Sequence, residues 1–182
     1  MEWTSEKPQV AAVVANAGAG VDIHLACAMG DLRLTKALVR KDPQAINATV
    51  VEAKKTIGEN GETPLGIAAR YGRGRLVQFL LEHGASVSNG PSPLPGAVLK
   101  GDRLIVKRLL QAGADPNAFG PHGHPALHVA SINGKVGMMQ LLLTWGAWLD
   151  LRDKEHDSTP LGWATYRKQT KAAALLKAAG GR

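Results

Sequence analysis

The chain has 182 residues, of which 45% are hydrophobic, 20% charged and only 4% aromatic, with a net charge of +7 and one cysteine. That balance predicts one globular domain and excludes an intramolecular disulfide, the lone Cys27 suiting a reducing, cytoplasmic compartment. No apolar run approaches the ~18 residues that a membrane-spanning helix needs.

In chain order, residues 1–20 come first as a capping segment or half-repeat. Val10-Ala11-Ala12-Val13-Val14 and Ala17-Gly18-Ala19 look like the tail of a helical unit, and Trp3 is placed to cover the end of the next one. Ala15-Asn16-Ala17 mimics a leader cleavage site, but the apolar run is short and Glu2 and Glu6 precede it, so export is not expected. The chain starts with Met and closes on a modified last unit, and is expected to be a complete small protein.

From residue 21 a phrase recurs: Ile23-His24-Leu25, Thr63-Pro64-Leu65-Gly66, Ser92-Pro93-Leu94-Pro95, Ala126-Leu127-His128 and Thr159-Pro160-Leu161-Gly162. With Val21, Thr63, Ser92, Pro125 and Thr159 as equivalent positions, the intervals are 42, 29, 33 and 34 residues. A Leu pair and Gly-Ala follow in Leu80 to Ala85, Leu109 to Ala114 and Leu142 to Ala147. Gly72 to Gly84, Gly101 to Gly113 and Gly134 to Gly146 each span 12 residues, so length varies in the connections and spares the helices.

Each unit has a local physical logic. Thr63 and Thr159 are N-cap residues, and the proline after each sits where its missing N–H costs nothing. A short helix starts there, with small residues such as Ala68-Ala69, Ala97-Val98, Ala130-Ser131 and Ala164-Thr165 allowing close neighbours. Gly72, Gly101 and Gly134 then turn the chain. The second helix carries apolar residues at helical spacing, as in Leu76, Val77, Phe79, Leu80 and Leu81, or Ile105, Val106, Leu109 and Leu110. Gly84, Gly113, Gly146 and Gly180 are placed to end it in a left-handed conformation.

This pattern of Thr-Pro-Leu-His, a small pair, Gly, an apolar helix and Gly-Ala-Asp resembles the ankyrin-repeat family over residues 21–182. The resemblance implies an all-α solenoid of about five helix-turn-helix units, starting near 21, 63, 92, 125 and 159, with short or irregular β-hairpin connections. Such arrays gain stability by stacking neighbours, with modified end units that meet water. The last unit looks modified, because Lys168-Gln169-Thr170-Lys171 replaces the central Gly and apolar helix start. The connection Val87-Ser88-Asn89-Gly90-Pro91 is about four residues short of the family pattern, which predicts a stunted projection. Residues 46–61, including Glu52-Ala53-Lys54-Lys55, form a long connection, read either as a mobile loop or as a contact loop.

The resemblance also implies function. In the family the two positions before the central Gly face a concave binding surface. Here they are Ala28 and Met29, Arg70 and Tyr71, Leu99 and Lys100, Ile132 and Asn133, Tyr166 and Arg167. The partner-contacting set is then Met29, Arg70, Tyr71, Leu99, Lys100, Ile132, Asn133, Tyr166 and Arg167, joined by Trp148 and by Phe119 at a hairpin tip. Mixed aromatic, aliphatic and basic residues suit another protein, an acidic one among the candidates. Trp145 is expected to pack on the next connection, and Trp163 to lie in the core.

Rival chemistries carry less. His24 and Cys27 stand one helical turn apart, as a base and a nucleophile would, but no orienting group or anion hole accompanies them. His24 and His128 fill the family's His position, where the ring ties backbone together. His122, His124 and His128 could offer three imidazoles, at a spacing that matches no standard zinc site. Arg167, Lys168, Lys171, Lys177 and Arg182 gather in the last unit and define the alternative, a basic nucleic-acid-associated protein. The reading is a non-enzymatic, monomeric protein-binding module with no cofactor, metal, membrane or nucleic-acid partner.

Overall fold

The computed structural model describes residues 22–50 and 61–181. The expectations on residues 1–20, Trp3, Glu52 to Lys55 and Arg182 lie outside the described residues.

Among the described residues five helical pairs follow one another: α1 (Ile23–Met29) with α2 (Leu32–Lys41), α3 (Pro64–Arg70) with α4 (Gly74–Glu82), α5 (Leu94–Lys100) with α6 (Arg103–Gln111), α7 (Ala126–Ile132) with α8 (Val136–Thr144), and α9 (Pro160–Tyr166) with α10 (Thr170–Ala178). A 3-10 turn, Pro43–Asn47, follows α2. Among the described residues the β-structure is a single bridge, Phe119 with Pro125. The chain is therefore an all-α solenoid with irregular connections.

The helix starts follow the sequence. Thr63 Oγ1 accepts from Gly66 N at 3.2 Å and Thr159 Oγ1 from Gly162 N at 3.1 Å, each with Pro at the first helical position. Asp22, Asp31 and Asp102 cap α1, α2 and α6 in the same way. The third unit differs: two prolines delay α5 to Leu94, and Ser92 Oγ accepts from Leu94 N at 3.3 Å.

The first helices α1, α3, α5, α7 and α9 pack in series, each against the next. Their small residues permit it: Ala68, Ala69, Ala97, Val98, Ala130, Ser131 and Ala164 are all buried. The second helices contribute Leu76, Leu80, Ile105, Leu109, Met139, Leu142 and Leu176 to the same core. Thr165 and Trp163 depart from the pattern. Thr165 is exposed and Trp163 half-buried, because among the described residues nothing stacks on α9 from the far side.

At the turns of the first four pairs, a long side chain of the following unit reaches back over the preceding turn. Arg73 donates from Nε and Nη2 to Ala28 O at 3.2 and 2.9 Å, and Gln169 Nε2 donates to Ile132 O at 3.3 Å. Lys100 lies over Gly72 and Lys135 over Gly101, where a β-carbon would crowd them. Lys168 takes the turn position in the last unit with φ 55, the left-handed region that glycine fills elsewhere.

Candidate functional site

The predicted contact residues fall at the C-terminal ends of the stacked first helices. Met29, Arg70, Lys100, Ile132 and Tyr166 end their helices, Leu99 precedes Lys100, and Tyr71, Asn133 and Arg167 are the capping residues of α3, α7 and α9. Stacking of the helices places these ends in a row. Tyr71 is 40% exposed, Leu99 55% and Tyr166 76%. Lys100, Asn133 and Arg167 are exposed, whereas Met29, Arg70 and Ile132 are half-buried.

The row is partly tied down by its own neighbours. Arg70 Nη2 pairs with the buried Glu62 Oε2 at 3.0 Å, and its guanidinium lies 5.3 Å from the Tyr71 ring centroid. Asn133 Nδ2 donates to Val129 O at 2.8 Å. Tyr166 meets Trp163 edge to face at 5.8 Å. Arg70 is thus fixed in orientation rather than loose.

Two predicted residues stand outside the row. Phe119, expected as an exposed aromatic at a hairpin tip, is half-buried. Its carbonyl accepts from Ser92 N at 2.9 Å, and Lys154 Nζ sits 4.5 Å over its ring. Trp148 is exposed, but it belongs to the connection after α8, where Asn117 Oδ1 accepts from its backbone N at 2.8 Å. Trp145, expected to pack, caps α8 and stays exposed. Trp163, expected in the core, is instead half-buried, with its indole Nε1 donating to Asp153 Oδ2 at 2.7 Å.

Within the row, Arg70 and Leu99 share a cleft of about 110 Å3. Glu62, Pro93, Val129 and His122 are among its other walls. The cleft opens over Gly66 and Pro95, the positions that carry His24 and His128 in the first and fourth units. Those histidines reach across to the following connection: His24 Nε2 lies 3.0 Å from Ala48 O and His128 Nε2 2.9 Å from Ser158 O. Burial holds His128 below its ordinary 6.5, so the ring is neutral at neutral pH and donates through Nε2. Units two and three lack that strap.

The titratable groups place limits on chemistry. Burial pushes the Cys27 thiol up to about 12, against a hydrogen bond with Thr35, so at neutral pH it is a thiol and a poor nucleophile. His24 is engaged with Ala48. Among the described residues no group of three or more His, Cys, Asp or Glu is arranged to hold a metal ion. His124 instead pairs with Glu155 at 3.1 Å, and His128 with a carbonyl. Among the described residues no helix is long and apolar enough to cross a membrane.

A family model of ankyrin repeats in three copies matches residues 23–120 and again 94–181, close to the whole chain. The chain belongs to the ankyrin-repeat family. An ankyrin repeat protein of fowlpox virus (strain NVSL) is 35% identical over 117 residues, covering 61% of this chain and 34% of the viral one. The mouse ankyrin repeat and SOCS box protein 16 is 37% identical over 101 residues, 49% of this chain and 22% of its own. The mouse B-cell lymphoma 3 protein homolog is 33% identical over 151 residues, 80% of this chain and 32% of its own. The chain spans about a third or less of the length of these relatives.

The ankyrin framework also shows which residues sequence reasoning missed. Asn47 and Asn117 join successive units: Asn47 accepts from Ser86 N at 2.8 Å and donates to Gly84 O at 3.3 Å, and Asn117 does the same with Trp148 N and Gly146 O. The shared signal was an Asn shortly after a proline, Pro43 or Pro116. Glu62, just before Thr63, and Asp153, six residues before Thr159, are buried carboxylates of the connections. Asp153 accepts from Glu155 N, His156 N, Ser158 N and Trp163 Nε1. Burial alone would raise its carboxyl, but these donors outweigh burial and hold it down at about 2.

Proposed function

We propose that this ankyrin-repeat chain is a non-catalytic, cytoplasmic binding module that holds a partner protein along the row from Met29 to Arg167. Ankyrin repeats are in general protein-interaction modules. The observation that carries the finer reading is the row itself: Tyr71, Leu99 and Tyr166 are large apolar side chains left in solvent at repeated positions of one array. Exposed apolar groups set among basic ones are what a protein interface uses, since the rings supply contact area and the cations register and on-rate. Arg70 is bridged to Glu62, and Lys100 and Arg167 add positive charge along the row, which favours an acidic partner.

The test is capture of partner from nuclease-treated lysate of the source cell by the wild-type chain and by the double variant Tyr71→Ala/Lys100→Glu. The expected outcome is at least tenfold loss of one specific captured protein, at unchanged helical signal and melting temperature. Equal capture by both chains would refute the row as the contact surface. Arg167, Lys168, Lys171 and Lys177 are all exposed in the last unit, so a second reading as a nucleic-acid-associated protein has a surface of its own. That reading predicts material retained only without nuclease, with retention falling steeply in salt.

A further inference from the structure

We infer that the cleft between Arg70 and Leu99 is an anchor pocket for a single aliphatic side chain, presented by an acidic segment of the partner protein. The inference rests on the row-binding reading above and names the kind of residue that reading must accommodate.

The pocket has a structural origin in this chain. Where the first and fourth units place His24 and His128 as straps to the next connection, the second and third have Gly66 and Pro95, and Gly96 follows directly. A β-carbon on Gly66 would meet the Glu62 side chain at 3.0 Å and one on Gly96 the Arg70 side chain at 3.0 Å, so the Glu62–Arg70 pair forms one wall where the histidine strap is absent. The floor that remains is apolar, from Pro93, Pro95, Leu99 and Val129. The missing strap and the apolar floor are consequences of the departures from the histidine pattern.

Size selects the occupant. A cavity of roughly 150 Å3 lined by aliphatic side chains accepts a benzene ring. The cleft, at about 110 Å3, is smaller than that, which favours Leu, Ile, Val or Met over an aromatic ring. The Pro93, Pro95, Leu99 and Val129 surface rewards an apolar side chain, while the polar wall groups Glu62 and Arg70 are already bridged to each other.

Charge selects the flanks. Glu62 is the single carboxylate in the cleft wall, and it is bridged to Arg70 at 3.0 Å. Along the row on either side stand Tyr71 and Lys100, then Asn133 and Arg167, with no acid at those positions. A basic partner segment would meet the like charge of Lys100, whereas Asp or Glu beside the anchor would pair with it. Anchor in a pocket with charged flanks is the arrangement in which one residue carries much of the binding energy.

The experiment is selection of a phage-displayed library of random dodecapeptides on the immobilised full chain, followed by fluorescence anisotropy of the enriched peptides. Leu99→Glu and Lys100→Glu serve as the variants, each checked for an unchanged helical signal. The result expected is enrichment of one Leu, Ile, Val or Met flanked by Asp or Glu. Affinity should fall at least tenfold in Leu99→Glu, and at least tenfold when the peptide's aliphatic residue becomes Phe. Acidic peptides that lose affinity in Lys100→Glu yet ignore both Leu99→Glu and the change to Phe would overturn the anchor and leave the row standing. No enrichment, or peptides indifferent to both variants, would overturn the anchor, and indifference to both would count against the row as well.

Discussion

Replacing Asp153 with Ala is expected to cost about 3 kcal/mol of folding stability, an effect concentrated in the last unit. Asp153 is only 3% exposed, and its two oxygens collect the donors that shape the connection into α9. The variant removes the acceptor of the Trp163 indole N–H and of three backbone N–H groups. Because a repeat array is held by neighbour contacts, amide exchange over 160–178 should rise before that of α3 to α6. The same carboxylate dictates an acid dependence. Its folded value of about 2 lies below the ordinary 3.8, so its contribution is fully present above 3.8 and is lost as pH falls towards 2. A shift of that size corresponds to about 2 kcal/mol. His128 adds in the same direction: held below 6.5 when folded, it opposes folding increasingly as pH falls beneath 6.5. Urea unfolding at pH 7 and pH 3 checks both, and Asp153→Ala should flatten the lower part of the pH profile.

A second large effect is expected at Gly90. Gly90 and Gly113 have nearly the same left-handed φ, 88 and 89, so an alanine at either costs about 1 kcal/mol of backbone strain. Their surroundings differ. A β-carbon on Gly113 meets open space, whereas one on Gly90 would stand 2.5 Å from the Gly61 carbonyl oxygen, a backbone atom of the neighbouring connection that cannot swing aside. The short link Val87 to Pro91 draws the two connections together, and Asn89 Nδ2 adds a bond to Asn47 O at 2.8 Å. Gly90→Ala should therefore lose about 3 kcal/mol against about 1 for Gly113→Ala. At ~2–4 °C per kcal/mol for a chain of this size, thermal melts should separate the two variants by at least about 4 °C. Equal shifts would mean that the connections yield.

What was legible in the sequence was local. Thr63 and Thr159 as caps, the apolar spacing of Leu76 to Leu80 and Ile105 to Leu110, and the turn and end glycines concern residues within one or two helical turns of each other, and each appears as expected. What was not legible depends on partners in another unit. Asn47 meets Gly84 37 residues away and Arg73 meets Ala28 45 away, pairings with no spacing signature. Trp163 occupies a position filled by Ile67 in an inner unit, and its half-exposure follows from the lack, among the described residues, of a unit stacked beyond α9. Phe119 was expected in solvent at a hairpin tip, but Lys154 of the next connection covers it. The row itself was read from the family pattern, whereas the cleft was not. It depends on Gly66 and Pro95 standing at the histidine positions and on Glu62, Arg70, Leu99 and Val129 of different units meeting around one cleft.

Whether partner contact runs along the ends of the first helices is open to hydroxyl-radical footprinting of the chain with and without its captured partner, because oxidisable apolar side chains are exposed both on the row and off it. Tyr71, Leu99 and Tyr166 mark the row, and Leu104, 67% exposed at the start of α6, marks the second helices. Contact along the row should give severalfold protection of Tyr71, Leu99 and Tyr166 in the complex, with Leu104 unchanged. Protection of Leu104 with the three row residues still oxidised at the free rate would place the partner on the second helices instead, and the row would not be the binding surface.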